Sequence, residues 1–155
     1  MHVAPPLCLL LLLLAPTSAA RGARYRDCGG VLNATHGVIS TPNFPHAFPT
    51  PIECRWLIRS RPGKKIVVYF TQYYLRGGLF ASEYDLYMYS DESLFVGRNN
   101  LGELETAVLG EPAIVSLTAY KPYLLLRLDI RQMDNMNIRV EQYMRDVYGF
   151  NITYE

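Results

Sequence analysis

The sequence predicts an all-β fold, a sandwich or barrel of short strands, and three observations carry that prediction. From Cys28 onward apolar residues recur at every second position in short runs. Clusters of Gly, Pro and Asn separate those runs, as turns separate strands. No segment keeps a helical apolar period for more than a turn or two.

The elements follow in order. Residues 1–20 place Leu7 and Leu9 to Leu14 before small residues at Ser18 and Ala20, the pattern of a secretory signal peptide cleaved after Ala20. That run is shorter than the about 20 apolar residues of a membrane span, and no later stretch approaches that length. Residues 21–27 read as a flexible, basic lead-in. The domain then runs over residues 28–155. Cys54, Trp56 and Ile58 share one strand face, with Arg55, Leu57 and Arg59 on the other. Ile66, Val68 and Phe70 alternate with Val67 and Tyr69, and Tyr84 to Tyr89 form a β-rich run. Ala113 to Leu117 make a further strand after Pro112. Leu124, Leu126, Leu128 and Ile130 face one way, while Arg127, Asp129 and Arg131 face the other. Asp134 to Asn137 turn the chain into the alternating run Ile138 to Glu141, and Gly149 to Tyr154 close the domain, burying Phe150, Ile152 and Tyr154.

Composition narrows the function. With 15 Lys and Arg against 14 Asp and Glu, the net charge is +1, and the basic residues are scattered along the chain. A polybasic nucleic-acid or membrane footprint is therefore not expected. Export removes Cys8, leaving Cys28 and Cys54 to pair in an oxidising compartment as a structural staple. Two cysteines fall short of the usual four ligands of a structural zinc site. The sequons Asn33-Ala-Thr35 and Asn151-Ile-Thr153 mark Asn33 and Asn151 for glycosylation at the surface. His36 and His46 stand in the turn-rich opening, and no Gly-x-Ser-x-Gly or His-Glu-x-x-His pattern is present, so neither a nucleophilic triad nor a metallohydrolase is indicated.

Three motifs identify a family in combination: Cys28-Gly-Gly, Gly37-Val-Ile-Ser-Thr-Pro-Asn-Phe-Pro45, and Cys54-Arg-Trp-Leu-Ile58. With Phe70-x-x-Tyr-Tyr-Leu-Arg76, Tyr84-Asp85-x-Tyr87 and the closing Gly149 to Tyr154, they resemble a CUB domain, the extracellular module of complement and tolloid-type proteases, spermadhesins, cubilin and attractin-like receptors. The closing strand is especially similar to the attractin-like branch. The resemblance implies a two-sheet antiparallel, jelly-roll sandwich that binds rather than catalyses. Three departures stand out. The second disulfide of most CUB domains is missing, its positions reading Ser82 and Leu109. The glutamate of the family's calcium site reads Arg76, while Asp85 keeps the Tyr-Asp aspartate, so calcium is not the expected cofactor and an Arg76–Asp85 ion pair is expected in its place. The third calcium position is open among Asp129, Glu141 and Asp146, because either Leu124–Ile130 or Ile138–Glu141 can be the penultimate strand.

Most of the many tyrosines are expected to line the sandwich. Tyr73, Tyr74 and Arg76, and Tyr120 and Tyr123 in Tyr120-Lys-Pro-Tyr123, are the candidate binding anchors, since Tyr and Arg are enriched at interface hot spots, and Asp85 is counted with them as a candidate binding residue. The leading function is an extracellular protein–protein interaction module with a protein ligand or co-domain as partner. It is expected to be the N-terminal module, or a truncated product, of a larger secreted or receptor protein. The alternatives are the recruiting domain of a multidomain secreted protease and a spermadhesin-type carbohydrate-binding domain.

Overall fold

A computed structural model describes residues 23–90, 94–105, 116–134, 136–140 and 145–155. The signal peptide, Leu109, Ala113 to Val115 and Glu141 lie outside the described residues. Two sheets face each other, and no helix occurs among the described residues. The first sheet contains β1 (Gly29–Leu32), β3 (Ile52–Arg59), β10 (Tyr123–Ile130), β5 (Leu79–Tyr84) and β8 (Asn99–Leu104), side by side in that order. The second contains β2 (Gly37–Ser40), β13 (Gly149–Tyr154), β4 (Ile66–Tyr74) and β9 (Ser116–Ala119). Two ribbons stand apart, β6 (Leu86–Tyr87) with β7 (Phe95–Val96), and β11 (Ile138–Val140) with β12 (Arg145–Val147).

Alternation explains the core. Cys54, Trp56 and Ile58 from β3 meet Leu124, Leu126 and Leu128 from β10, and all are buried. The second sheet answers with Ile39, Ile66, Val68, Phe150, Ile152 and Tyr154. Trp56 and Phe150 meet edge to face across the layers, with ring centroids 5.7 Å apart. The penultimate-strand question is settled by this pairing. Tyr123–Ile130 is a central strand between β3 and β5, whereas Ile138–Val140 pairs only with Arg145–Val147 among the described residues.

One pair departs from the antiparallel expectation: β1 runs parallel to β3. The chain crosses to the other sheet as β2 before it returns as β3, and such a crossover brings the strand back in the same direction. Its register sets Gly29 opposite Arg55, which carries Cys28 beside Cys54, with Cα atoms 5.2 Å apart and the disulfide formed. Gly29 adopts φ +100°, and a Cβ there would sit 2.1 Å from the Arg55 carbonyl oxygen. The Cys-Gly-Gly motif is thus a close backbone approach as well as a cross-link.

The lead-in is docked rather than free from Arg24 onward. Tyr25 donates its N–H to the Pro51 carbonyl and accepts from Glu53 N–H, at 2.7 and 2.9 Å. Leu57 also departs from expectation, since its spacing assigns it to the solvent face. It is only 2 % exposed, because a small second cluster of Leu57, Tyr84, Tyr87 and Leu125 covers the outer face of the first sheet.

Candidate functional site

The outer face of the five-stranded sheet is where the unexplained side chains converge. Register places Arg55 opposite Arg127, and Arg127 opposite Phe80, in one row across three strands. The next row joins Leu57, Leu125, Ser82 and Asn100. The β6–β7 ribbon folds over this face, setting Tyr87 and Phe95 on Tyr84 at centroid distances of 4.8 and 5.5 Å. Between ribbon and sheet lies a cleft of about 350 Å³ whose cations are Arg55, Arg98 and Arg127, and whose walls include Phe80, Tyr84 and Tyr87. Among the described residues no carboxylate lines it.

Each arginine is oriented. Arg55 donates to Glu53 Oε1 at 2.5 Å. Arg127 lies over the Phe80 ring, 5.2 Å from its centroid, with Asp129 3.8 Å away. Arg98 donates to Asn100 Oδ1 at 3.3 Å, and Ser82 Oγ donates to the same oxygen at 2.7 Å. Ser82, where the family would place a cysteine, therefore cross-links its strand by a hydrogen bond. Burial pushes the Tyr87 hydroxyl pKa up, partly offset by the nearby Arg55 guanidinium.

Glu53 anchors one end of this face. Its carboxylate is almost buried and takes hydrogen bonds from Arg24 at 2.8 Å, Arg26 at 3.1 Å and Arg55 at 2.5 Å. Burial alone would raise its pKa, but the hydrogen bonds from Arg24 and Arg55 and the charges of Arg55 and Arg26 bring it down to about 2.

A second acidic anchor sits at the far end of β5, on the inner side of the same sheet. Glu83 is buried and accepts the backbone N–H groups of Tyr120 and Lys121 at 2.7 and 3.1 Å, and Asn99 Nδ2 at 2.7 Å. Burial would raise its pKa, yet these hydrogen bonds leave it lowered. Lys121 then reaches Asp85 Oδ2 at 2.8 Å and also donates to the Gly97 carbonyl. A Cβ on Gly97 would fall 1.7 Å from that same Asp85 oxygen, so glycine leaves room for the contact.

Asp85 is thus paired with Lys121 and not with Arg76. Arg76 follows β4 and Asp85 follows Tyr84, so the six residues of β5 separate them by about 20 Å of strand. Asp129 lies six residues along β10 from Tyr123, the partner of Tyr84, and faces Arg24 and Arg127; Asp146 faces Arg139. With an ammonium on the Asp85 carboxylate and arginines on the other two aspartates, these residues do not fit a calcium ion. Among the described residues no cluster of three or more His, Cys, Asp or Glu is arranged around a common point.

The other sequence-chosen residues fall into separate places. Tyr73 is half-buried, stacks on Phe150 at 5.9 Å and donates its hydroxyl to the Leu104 carbonyl at 2.6 Å, joining β4 to β8 across the sandwich. Burial drives its pKa far up. Tyr74 stacks on Phe44 at 6.3 Å, and Arg76 is exposed. Tyr120 is 69 % exposed, with Lys65 Nζ 4.8 Å from its ring centroid, and Tyr123 lies under Arg59. Because Tyr120 adjoins the start of β4 and Tyr73 its end, the two sets do not form one surface. Removing the Tyr73 hydroxyl (Tyr73→Phe) is expected to cost about 1–2 kcal/mol in urea unfolding, since the Leu104 carbonyl loses its donor. Asn33 is exposed in the β1–β2 turn. Asn151 lies on the outer face of the second sheet, accepting from Ser40 Oγ at 2.6 Å and donating to Gln72 at 3.1 Å.

Sequence reasoning missed the arginine-lined cleft because its residues come from β3, β5, β6, β7, β8 and β10, spread over the length of the chain. The alternation of Arg55 and Arg127 was legible, but their adjacency required the β3–β10 register. The apolar pairs of the β6–β7 ribbon were visible only as a β-rich run.

Residues 28–101 match the family described as CUB domain. The zinc metalloproteinase nas-39 of Caenorhabditis elegans is 36% identical over 70 residues, 45% of this chain and 8% of that protein. Human cubilin is 35% identical over 48 residues, 31% of this chain and 1% of cubilin. The chain therefore spans a small part of the length of these relatives. The CUB1-EGF-CUB2 structure of rat MASP-1 superposes with a TM-score of 0.53 over 81% of this chain and 41% of that one, at 16% identity. The MASP-1 CUB2 domain bound to Ca2+ gives a TM-score of 0.51 over 83% of this chain and 98% of its own, at 12% identity. With its paired sheets, its Cys28–Cys54 link and its matched opening motifs, the chain matches the CUB domain family over residues 28–101 and has a CUB-like fold.

Proposed function

We propose that this chain is an extracellular protein-binding module, exported by residues 1–20, glycosylated at Asn33 and Asn151, and serving as the N-terminal domain of a larger secreted or receptor protein. The observation that carries the reading is a rigid, disulfide-linked sandwich that holds apolar and cationic side chains out to solvent. Loops and ribbons fixed on such a scaffold lose little entropy when they bind. The relatives support it too, because in each the matching segment is a small part of a long protein. The worm metalloproteinase favours a second reading, in which the module recruits partners for a protease segment of a longer product.

Expressed in secreting cells, the chain is expected in the medium, with its N-terminus at Arg21 and glycan mass on both asparagines. Displayed on beads, it is expected to capture specific members of an arrayed set of ectodomains. Retention in the cytosol with reduced Cys28 and Cys54, or capture of none of the ectodomains, overturns the reading.

A further inference from the structure

The β6–β7 ribbon presents a face that ordinary surface chemistry does not explain. Its strands pair Leu86 with Val96 and Tyr87 with Phe95. Tyr87 turns toward the sheet, which leaves Leu86, Met88, Leu94 and Val96 on the side facing solvent. They are 41%, 45%, 50% and 59% exposed, where a ribbon wetted on that side would carry polar residues. Adjacent exposed apolar side chains of this kind mark interaction surfaces.

The other side of the same ribbon walls the arginine cleft. Ligand chemistry follows from the two halves together. Arg98 is held by the neutral Asn100 and Arg127 by a long 3.8 Å contact to Asp129, so the two can still take up an anion, and a guanidinium suits a carboxylate best because its donors form a planar fork. Arg55 is already held by Glu53, so Arg98 and Arg127, the more exposed pair, carry the recognition. Aromatic walls add an apolar floor. A sulfated polysaccharide could satisfy the arginines but brings no apolar side chains for Leu86, Met88, Leu94 and Val96. An acidic stretch of protein brings both.

Building on the protein-binding reading above, we propose that the cleft beneath the β6–β7 ribbon is the docking groove for an acidic segment of a partner protein, its carboxylates held by Arg98 and Arg127 and an apolar side chain packed on the Leu86–Val96 ridge. Charge complementarity chooses the partner, and the ridge separates acidic-apolar segments from merely acidic ones. Binding is salt-sensitive, because the arginines are partly exposed.

The test uses the full secreted chain and four fluorescent probes: the peptide Glu-Glu-Phe-Asp-Leu-Glu, its neutral counterpart Gln-Gln-Phe-Asn-Leu-Gln, poly-glutamate and heparin. The acidic peptide is expected to bind with at least tenfold preference over the neutral one. Arg98→Ala combined with Arg127→Ala is expected to weaken it tenfold or more with the fold retained and only a small drop in melting temperature, from the lost Phe80 and Asp129 contacts of Arg127. Leu86→Ser with Val96→Ser is expected to weaken it at least threefold, while a poly-glutamate probe is unaffected by that change. Equal binding of both peptides, binding of heparin alone, or indifference to the arginine pair overturns the proposal. If arrayed ectodomains are still captured by the double-arginine variant, the docking groove is wrong and the binding function stands. If neither is captured by the parent chain, the broader reading falls with it.

Discussion

The Glu53→Gln protein is expected to be about 3 kcal/mol less stable than the parent at neutral pH and nearly equal to it near pH 2. Three arginines converge on the Glu53 carboxylate, and it is almost buried. Its pKa falls from an ordinary 4.5 to about 2 in the folded protein. A depressed carboxylate stabilises the fold wherever the unfolded chain would bind the proton and the folded one does not. That contribution is complete above the unfolded value of 4.5 and is lost as the pH drops through about 2. Each tenfold of proton affinity is worth about 1.4 kcal/mol, which gives the figure of about 3 kcal/mol. Urea midpoints measured across this window for both proteins check it. Glu83 is lowered as well and titrates in both proteins, so the difference between them isolates Glu53. A gap that stays constant from neutral pH to pH 2 would show that the Glu53→Gln change hurts through packing alone.

Much of this fold was legible in the sequence because strand alternation leaves a direct trace. Cys54, Trp56 and Ile58, the even-numbered leucines of β10, and Phe150, Ile152 and Tyr154 all occupy the buried face their spacing assigned. The same rule failed at Leu57, which is buried with Leu125 on the outer face. Alternation says which side of a sheet a residue takes, and it is silent on whether a ribbon later covers that side. The Asp85 partner failed for a related reason. Arg76 and Asp85 are near in sequence but stand at opposite ends of β5, whereas Lys121, 36 residues on, is brought back by the β9–β10 turn that Glu83 holds. Tyr73 shows the limit of composition. A tyrosine beside an arginine at a strand end reads as an anchor, yet its hydroxyl is committed to the Leu104 carbonyl. Contacts that depend on register, not on spacing, are where single-chain reading stops.

Replacing both Cys28 and Cys54 by serine is expected to lower stability by about 3.5 kcal/mol, on the chain-entropy account of a cross-link closing 26 residues. Changing both together avoids a stray thiol. The loss should also be local before it is global. β1 is an edge strand of four residues whose partner is β3, and the disulfide joins the two directly before that pairing begins. Without the link, amides of residues 29–32 and of Tyr25 are expected to exchange at rates set by local opening, while β10 and β13 keep the protection of the global unfolding event. Arg24 and Arg26 sit on the same frayed segment, so their grip on Glu53 loosens with it. Glu53→Gln should accordingly cost less in the serine protein than in the parent, a coupling that a double-mutant cycle measures. Additive costs, or amide protection of β1 unchanged by the serines, would mean that sheet pairing alone holds the lead-in and the disulfide only shortens the unfolded chain. The two expected results therefore test one structural claim from both ends: the lead-in, the disulfide and the triply held carboxylate form a single clasp on the edge of the first sheet.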